Sequence, residues 1–370
     1  MSMQSGRTIL LISPEPWDGH FVSKHHYAVT LASRGHKVYF LDPPDSSLHD
    51  IQVSRTDFPN LFAVAGPQVA KGLRFYPAAI RRWLEARWLI NLEKRIGTRF
   101  STVWLFENSR FYDMKFARTR TKIYHQVDLN QDFHAAEAAA SADVCFCNTD
   151  FIAEKLAPYN ERVYKIHHGV SVPSGAEPLT EAQQALFADN AVNAVYVGNL
   201  DIPYLDVRLL AELVRRFPAV RFHFVGHYGK SGMLYRQCEG SPNVTWWGAV
   251  PSDRIPSILA RSDVALLTYR VDTEWEKAQM ASPHKLMEYL ASGKVIVATY
   301  TDEYKDKPGL LEMANTSADF IAKFEDVVSK LDRYNSITMQ EERTAFAHDN
   351  TYPKQLDRII TILNKHNMII

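Results

Sequence analysis

Strand-like and helix-like stretches alternate along this chain, and that alternation limits the folds open to it. "TILLIS" (8–13) is a short apolar run, too short for a core helix. "SKHHYAVTLASRG" (23–35) has helical spacing and stops at Gly35, and "HKVYFLDP" (36–43) is apolar again. A strand, a helix and a second strand in that order form a βαβ unit, whose strands pair in parallel. Further strands are expected at "TVWLF" (102–106), "TKIYHQVD" (121–128), "ADVCFCNT" (142–149) and "RVYKIHHG" (162–169). From Ser171 to Asn190 the text turns polar and acidic with Pro and Gly, which reads as a linker. The alternation then restarts with "NAVYVGNL" (193–200), a helix over 206–216, "VRFHFVGH" (220–227), "NVTWWG" (243–248), a helix over 252–261, "DVALLTY" (263–269), a helix over 283–291 and "KVIVAT" (294–299). The expected fold class is α/β, with two doubly wound, Rossmann-like domains facing a cleft. A first domain over 1–175 and a second over 190–345 are expected, with a C-terminal helix over 346–370 that crosses back onto the first.

Composition excludes several function classes. At 370 residues and 46% apolar content, the chain can build two cores. Forty-two basic residues balance 42 acidic ones, which argues against a dedicated nucleic-acid binder. Three cysteines without a CxxC or Cys/His cluster suggest neither a disulfide framework nor zinc. Cys145 and Cys147 share a strand face and read as core thiols in a reducing compartment. No apolar run reaches the roughly 18 residues of a membrane span, so the protein is expected to be cytoplasmic.

One segment nevertheless suits a membrane surface. Over 71–100, Lys71, Arg74, Arg81, Arg82, Arg87, Lys94, Arg95 and Arg99 are interleaved with Trp83, Leu84, Trp88, Leu89 and Leu92, against only Glu85 and Glu93. A basic amphipathic helix with tryptophans can lie on anionic lipid; it can also pack by its aromatic side. The first reading places the protein peripherally on the inner face of the cell membrane.

The chemistry concentrates at "ASPHKLMEYLASGKVIVAT" (281–299). Ser282 is a good N-cap and Pro283 a good first helical residue, which puts Lys285 in the first turn. A cation there opposes the helix dipole by roughly 0.3–1 kcal/mol unless an anion offsets it. The open amides of a first turn suit phosphate, and lysine adds a point charge. Glu288, three residues on, shares that face and can accept from a ribose diol. The pair reads as a clamp for a nucleoside diphosphate. The plainer reading is a surface helix with an incidental ion pair.

The stretch 282–299 resembles the nucleotide-sugar motif of GT-B glycosyltransferases, which commonly read S-P-x-K-x-x-E-y-l-a-x-G-k-p-v-v-A. "YVGNL" (196–200), "FVGHYG" (224–229), "NVTWWGAVPSDRIPSILARSDVALLTY" (243–269) and "HHGV" (167–170) resemble other family segments in the same order. The C-terminal half is similar throughout and the N-terminal half loosely, most of all to bacterial exopolysaccharide and capsule transferases, including the xanthan-type glucuronosyltransferase. The resemblance implies a glycosyltransferase moving a sugar from a nucleotide-sugar donor to a carbohydrate or lipid-linked acceptor, with no cofactor and no metal. It implies donor contacts from Gly198, Ala249, Val250, Tyr269, Ser282, His284, Lys285 and Glu288. One position departs: many retaining members have glutamate eight residues before the ribose glutamate, where Met280 stands here, with Glu274 and Glu276 close by. A GT-B-shaped sugar-nucleotide epimerase and a non-catalytic nucleotide-sugar-binding protein are the competing readings.

An inverting transfer needs a base on the acceptor hydroxyl. Asp128 ends the expected strand 121–128, where such strands point into the ligand crevice, and the resemblance puts the base there. His125 and Asp132 are nearby alternatives, and Asp128 could instead cap a helix starting near Asn130. On the first βα connection, Ser23 would cap a helix whose first turn holds Lys24, His25 and His26, a basic start suited to an anionic acceptor group. His20, Lys24 and His25 are the acceptor candidates.

Overall fold

The computed structural model describes residues 6–19, 21–106, 108, 110–118, 120–127, 133–171, 177–187, 191–273, 276 and 283–370. The chain divides into two compact units, one of residues 1–168 with 352–370 and one of residues 169–351.

In unit 1, the strands are β1 (Thr8–Ile12), β2 (Lys37–Leu41), β3 (Gln52–Arg55), β4 (Leu61–Ala65), β5 (Thr102–Leu105), β6 (Thr121–Gln126), β7 (Val144–Cys147) and β8 (Val163–Lys165). Among the described residues they form one sheet in the order β3-β4-β2-β1-β5-β6-β7-β8. Every pairing is parallel except β3 with β4. Beyond their first residues, β1, β2, β5, β6 and β7 are buried on both faces, which explains their largely apolar text. β3 and β4 are unforeseen in the sequence reading. "QVSR" is a polar, largely exposed edge strand, and "LFAVA" has no flanking helical pattern to mark it.

The helix Tyr352–Lys365 belongs to this unit and buries Tyr352, Leu356, Ile359 and Leu363 in its core. Tyr352 stacks on His26 of the first helix, Ser23–Ser33, with centroids 4.5 Å apart.

Unit 2 continues with β9 (Asn193–Val197), β10 (Arg221–Val225), β11 (Val244–Gly248), β12 (Val264–Leu267), β13 (Val295–Thr299) and β14 (Glu312–Ala314). The order β11-β10-β9-β12-β13-β14 is wholly parallel, and the strand sequence reverses direction between β9 and β12. This is the strand order of a dinucleotide-type doubly wound sheet, whose ligands bind beyond the strand C-termini at that reversal.

Several boundaries differ from the sequence reading. The expected linker contributes to unit 2: Leu179 and Phe187 are buried in its core, and Arg254 pairs with Glu177 at 3.2 Å. Two apolar anchors in otherwise polar text suffice to dock it. The helix Ile337–Asp349 stays with unit 2, so the chain crosses at Thr351–Tyr352 rather than at 346.

Candidate functional site

Three strand ends of unit 2 converge on glycine. Gly198 follows β9 and Gly226 follows β10, with φ of +141° and +139°, and Gly248 closes β11. A Cβ on Gly226 would lie 2.0 Å from the Gly198 carbonyl oxygen. The two backbones therefore run closer than any side chain permits.

The helix that ends at Ala291 meets this edge. It begins at Lys285, with His284 as N-cap and no side-chain cap. The expected start at Ser282–Pro283 is thus two residues early. Pro283 and His284 instead accept three-residue turns from Leu286 and Met287. Ser282 lies outside the described residues. Tyr289 from the same helix is fully buried and its hydroxyl accepts the Val197 amide at 2.8 Å, which pins the helix to the end of β9.

Lys285 projects into the edge so formed. Its Nζ donates to Tyr196 Oη at 3.0 Å and lies 4.0 Å from the Tyr196 ring centroid and 5.0 Å from that of Tyr269. A Cβ on Gly198 would fall 2.5 Å from that Nζ. Among the described residues no carboxylate stands within ion-pair distance of it. Loss of water brings its pKa down to about 7, with Glu288 pulling the other way. The Glu288 carboxyl is raised, chiefly by desolvation, and Lys285 opposes that shift. The Glu288 side chain still reaches solvent. Lys285 is thus a half-buried lysine held on two tyrosine rings, with no carboxylate among the described residues in ion-pair contact.

The other donor candidates fall around this point. Tyr269 lies two residues beyond β12 at the strand reversal, buried, with its amide donating to Thr299 Oγ1 at 3.0 Å. Its ring supports Lys285. Ala249 is exposed and Val250 half-buried, both immediately beyond β11 at the same sheet edge. His284 is exposed beside Lys285. Glu276 accepts from the amides of Asp272 and Thr273, each at 3.1 Å, and so closes a local turn. Glu274 and Met280 lie outside the described residues. Tyr196 and Tyr289 were missed by the sequence reading, because a tyrosine in an apolar strand or helix carries no mark of its partner.

In unit 1, Asp128, Asp132 and His20 lie outside the described residues. His125 is fully buried near the end of β6, 4.8 Å from Phe106 and 6.0 Å from Trp104 between ring centroids. Burial lowers its pKa to about 3, so it is a neutral core ring. The first helix starts at Ser23 with Val22 as N-cap, so Ser23 does not cap it. The Ser23 hydroxyl instead lies 3.2 Å from His168 Nδ1. The Val22 amide donates to His25 Nδ1 at 3.2 Å, and His25 Nε2 bonds the Pro16 carbonyl at 3.0 Å. Lys24 is 2% exposed and pairs with Glu15 at 2.8 Å. Both side chains already have partners within the loop.

Solved structures align along nearly the whole chain. HepE of Anabaena, in complex with UDP and glucose, matches with a TM-score of 0.67 at 14% identity, over 97% of this chain and 100% of its own. The trehalose-6-phosphate synthase OtsA matches with a TM-score of 0.69 at 13% identity, over 96% and 99%. The chain has the GT-B fold. Within that fold, residues 191–330 match the family described as Glycosyl transferases group 1, which is the glycine-edged part of unit 2. A Bacillus subtilis strain 168 protein assigned to teichuronic acid biosynthesis as a glycosyltransferase, TuaH, is 25% identical over 199 residues. That match takes in 51% of this chain and 49% of TuaH, about half the length of each.

Proposed function

We propose that this GT-B chain is a glycosyltransferase of bacterial surface or exopolysaccharide synthesis. It moves a sugar from a nucleotide-sugar donor on unit 2 to a carbohydrate or lipid-linked acceptor on unit 1. The observation that carries the reading is Lys285, which has no ion-pair partner among the described residues and is packed against Gly198 where the sheet order reverses. A diphosphate supplies the missing negative charge, and Glu288 takes the ribose hydroxyls. Ala249 and Val250 offer main-chain groups to the base. HepE, of the same fold, was solved with UDP and glucose, which favours a UDP-linked donor here. TuaH favours a surface polysaccharide as the product's destination.

In the transfer, the acceptor oxygen bonds to the anomeric carbon as the bond from that carbon to the diphosphate oxygen breaks. Asp128 takes the acceptor proton. The leaving diphosphate keeps the electron pair and meets Lys285, whose positive charge in a poorly hydrated site stabilises it as it departs.

The membrane-surface reading of residues 71–100 gains support from the helix Ala78–Ile96. Ile80, Trp83 and Ile90 are exposed on it at 45, 56 and 47%. With Arg87 and Lys94 they follow helical spacing along one face, while Trp88, Leu89 and Leu92 bury the other.

A panel of nucleotide sugars tests the proposal, read by thermal stabilisation and by nucleoside diphosphate release with acceptor. One UDP-sugar is expected to stabilise the chain. Lys285→Ala is expected to weaken UDP at least tenfold, and Asp128→Asn to retain UDP but lose transfer. Unchanged UDP affinity in Lys285→Ala would remove the clamp, and near-normal turnover in Asp128→Asn would remove the base.

A further inference from the structure

Unit 1 holds a recess of about 480 Å³ that neither the donor site nor the acceptor candidates above include. Ser13, one residue beyond β1, and Arg110, beyond β5, both line it. β1 and β5 are the neighbours from which this sheet's order runs outward in opposite directions. That is again the place where open α/β sheets take ligands.

Three arginines line the recess, Arg74, Arg81 and Arg110, and no carboxylate among the described residues does. Two of the three are held in place. Arg81 donates to Asp113 Oδ2 at 3.0 Å, and its guanidinium lies 4.6 Å from the Tyr112 ring centroid. Arg110 donates to the Asp42 carbonyl at 2.9 Å and rests 5.5 Å from Trp88 and 5.3 Å from Phe111. Asp113 also pairs with Arg82 at 2.8 Å, and the buried Glu85 lies 3.6 Å from Arg81 with its carboxyl raised to about 8 by desolvation, so one ionised acid faces two arginines here. Arg74 reaches in from an exposed turn, 4.7 Å over the ring of Phe75.

Guanidinium groups match oxyanions with paired N–H donors. One arginine suffices for a carboxylate, whereas three around one space suit a phosphate or diphosphate, which offers oxygens on several sides. Phe75, which lines the recess, is 78% exposed, and Tyr76 beside it in the chain is 42% exposed.

We propose that this recess binds a phosphate or diphosphate ester whose other end is apolar, an amphiphile's head lodged among Arg74, Arg81 and Arg110 with its chain over Phe75. The proposal rests on the reading of unit 1 as the acceptor and membrane-facing unit.

Titration calorimetry on the full chain, with saturating UDP to occupy unit 2, provides the test. The probes are geranyl diphosphate, dihexanoyl phosphatidic acid and inorganic pyrophosphate. Binding of either amphiphile is expected, with at least tenfold loss in Arg74→Ala and in Arg110→Lys, and with UDP affinity and melting temperature unchanged. Preference for geranyl diphosphate would identify an acceptor-type lipid, and preference for phosphatidic acid a bulk headgroup; both support the site. Equal affinity for inorganic pyrophosphate would overturn the amphiphile assignment. No binding by the unaltered chain, or full binding by both variants, would overturn the site. Failure to bind UDP would count against the donor site alone.

Discussion

Lys285 is a partly desolvated cation with no ion-pair partner among the described residues, and its proton is correspondingly loose. In the free protein its pKa falls from the usual 10.5 to about 7, because burial disfavours the charged form more than Glu288 restores it. The unfolded chain keeps that proton up to about 10.5, so burial of Lys285 destabilises the fold fully below pH 7. That cost is relieved as pH rises from 7 towards 10.5. A bound diphosphate reverses the preference and holds the proton on. UDP affinity is therefore expected to fall as pH rises from 7 to 9, by up to about tenfold per unit. Calorimetry in buffers of different ionisation enthalpy should record proton uptake at pH 8. In Lys285→Met both effects should vanish; a variant with the same pH slope would place the titrating group elsewhere. The sequence reading found this lysine because a cation in a first helical turn is conspicuous. It missed Tyr196 and Tyr289, which hold the lysine and its helix, because their partners are distant in sequence.

At the scale of elements, the helix Ala78–Ile96 has one buried face and one exposed face. Its two tryptophans lie on different faces: Trp88 is 9% exposed and Trp83 56%. The charge imbalance is smaller than the text suggests, since Arg81 and Arg82 pair with Asp113, and Arg95 with Asp50 at 2.6 Å. These acids come from outside the segment, so local charge counting could not see them. What remains exposed is Lys71, Arg74, Arg87, Lys94 and Arg99 beside the apolar stripe. Replacing Ile80 and Trp83 together by serine is expected to weaken binding to phosphatidylglycerol vesicles at least tenfold at low salt, with the fold unchanged because both side chains already face solvent. Co-sedimentation measures it, and equal binding by the variant would move the membrane contact elsewhere.

On the scale of the whole molecule, the last helix decides how the units are stabilised. Tyr352, Leu356, Ile359 and Leu363 are all at most 4% exposed in the core of unit 1. Four such side chains contribute on the order of 6–12 kcal/mol before ordering entropy is deducted. Truncation after Thr351 is expected to abolish or sharply lower the melting transition of unit 1 while unit 2 keeps a transition that UDP raises. Calorimetric scanning separates the two, and an intact transition for both units would show the helix to be dispensable. The α/β class, most of the parallel strands and the first-turn position of Lys285 were legible from order alone, because hydrophobic period and helix-start chemistry are local properties of the chain. Tertiary structure alone decided which strands are neighbours, which acids neutralise which arginines, and that Lys285 rests on Tyr196 and Tyr269 against a glycine. Those contacts join residues tens of positions apart, and only the packed sheet brings them together.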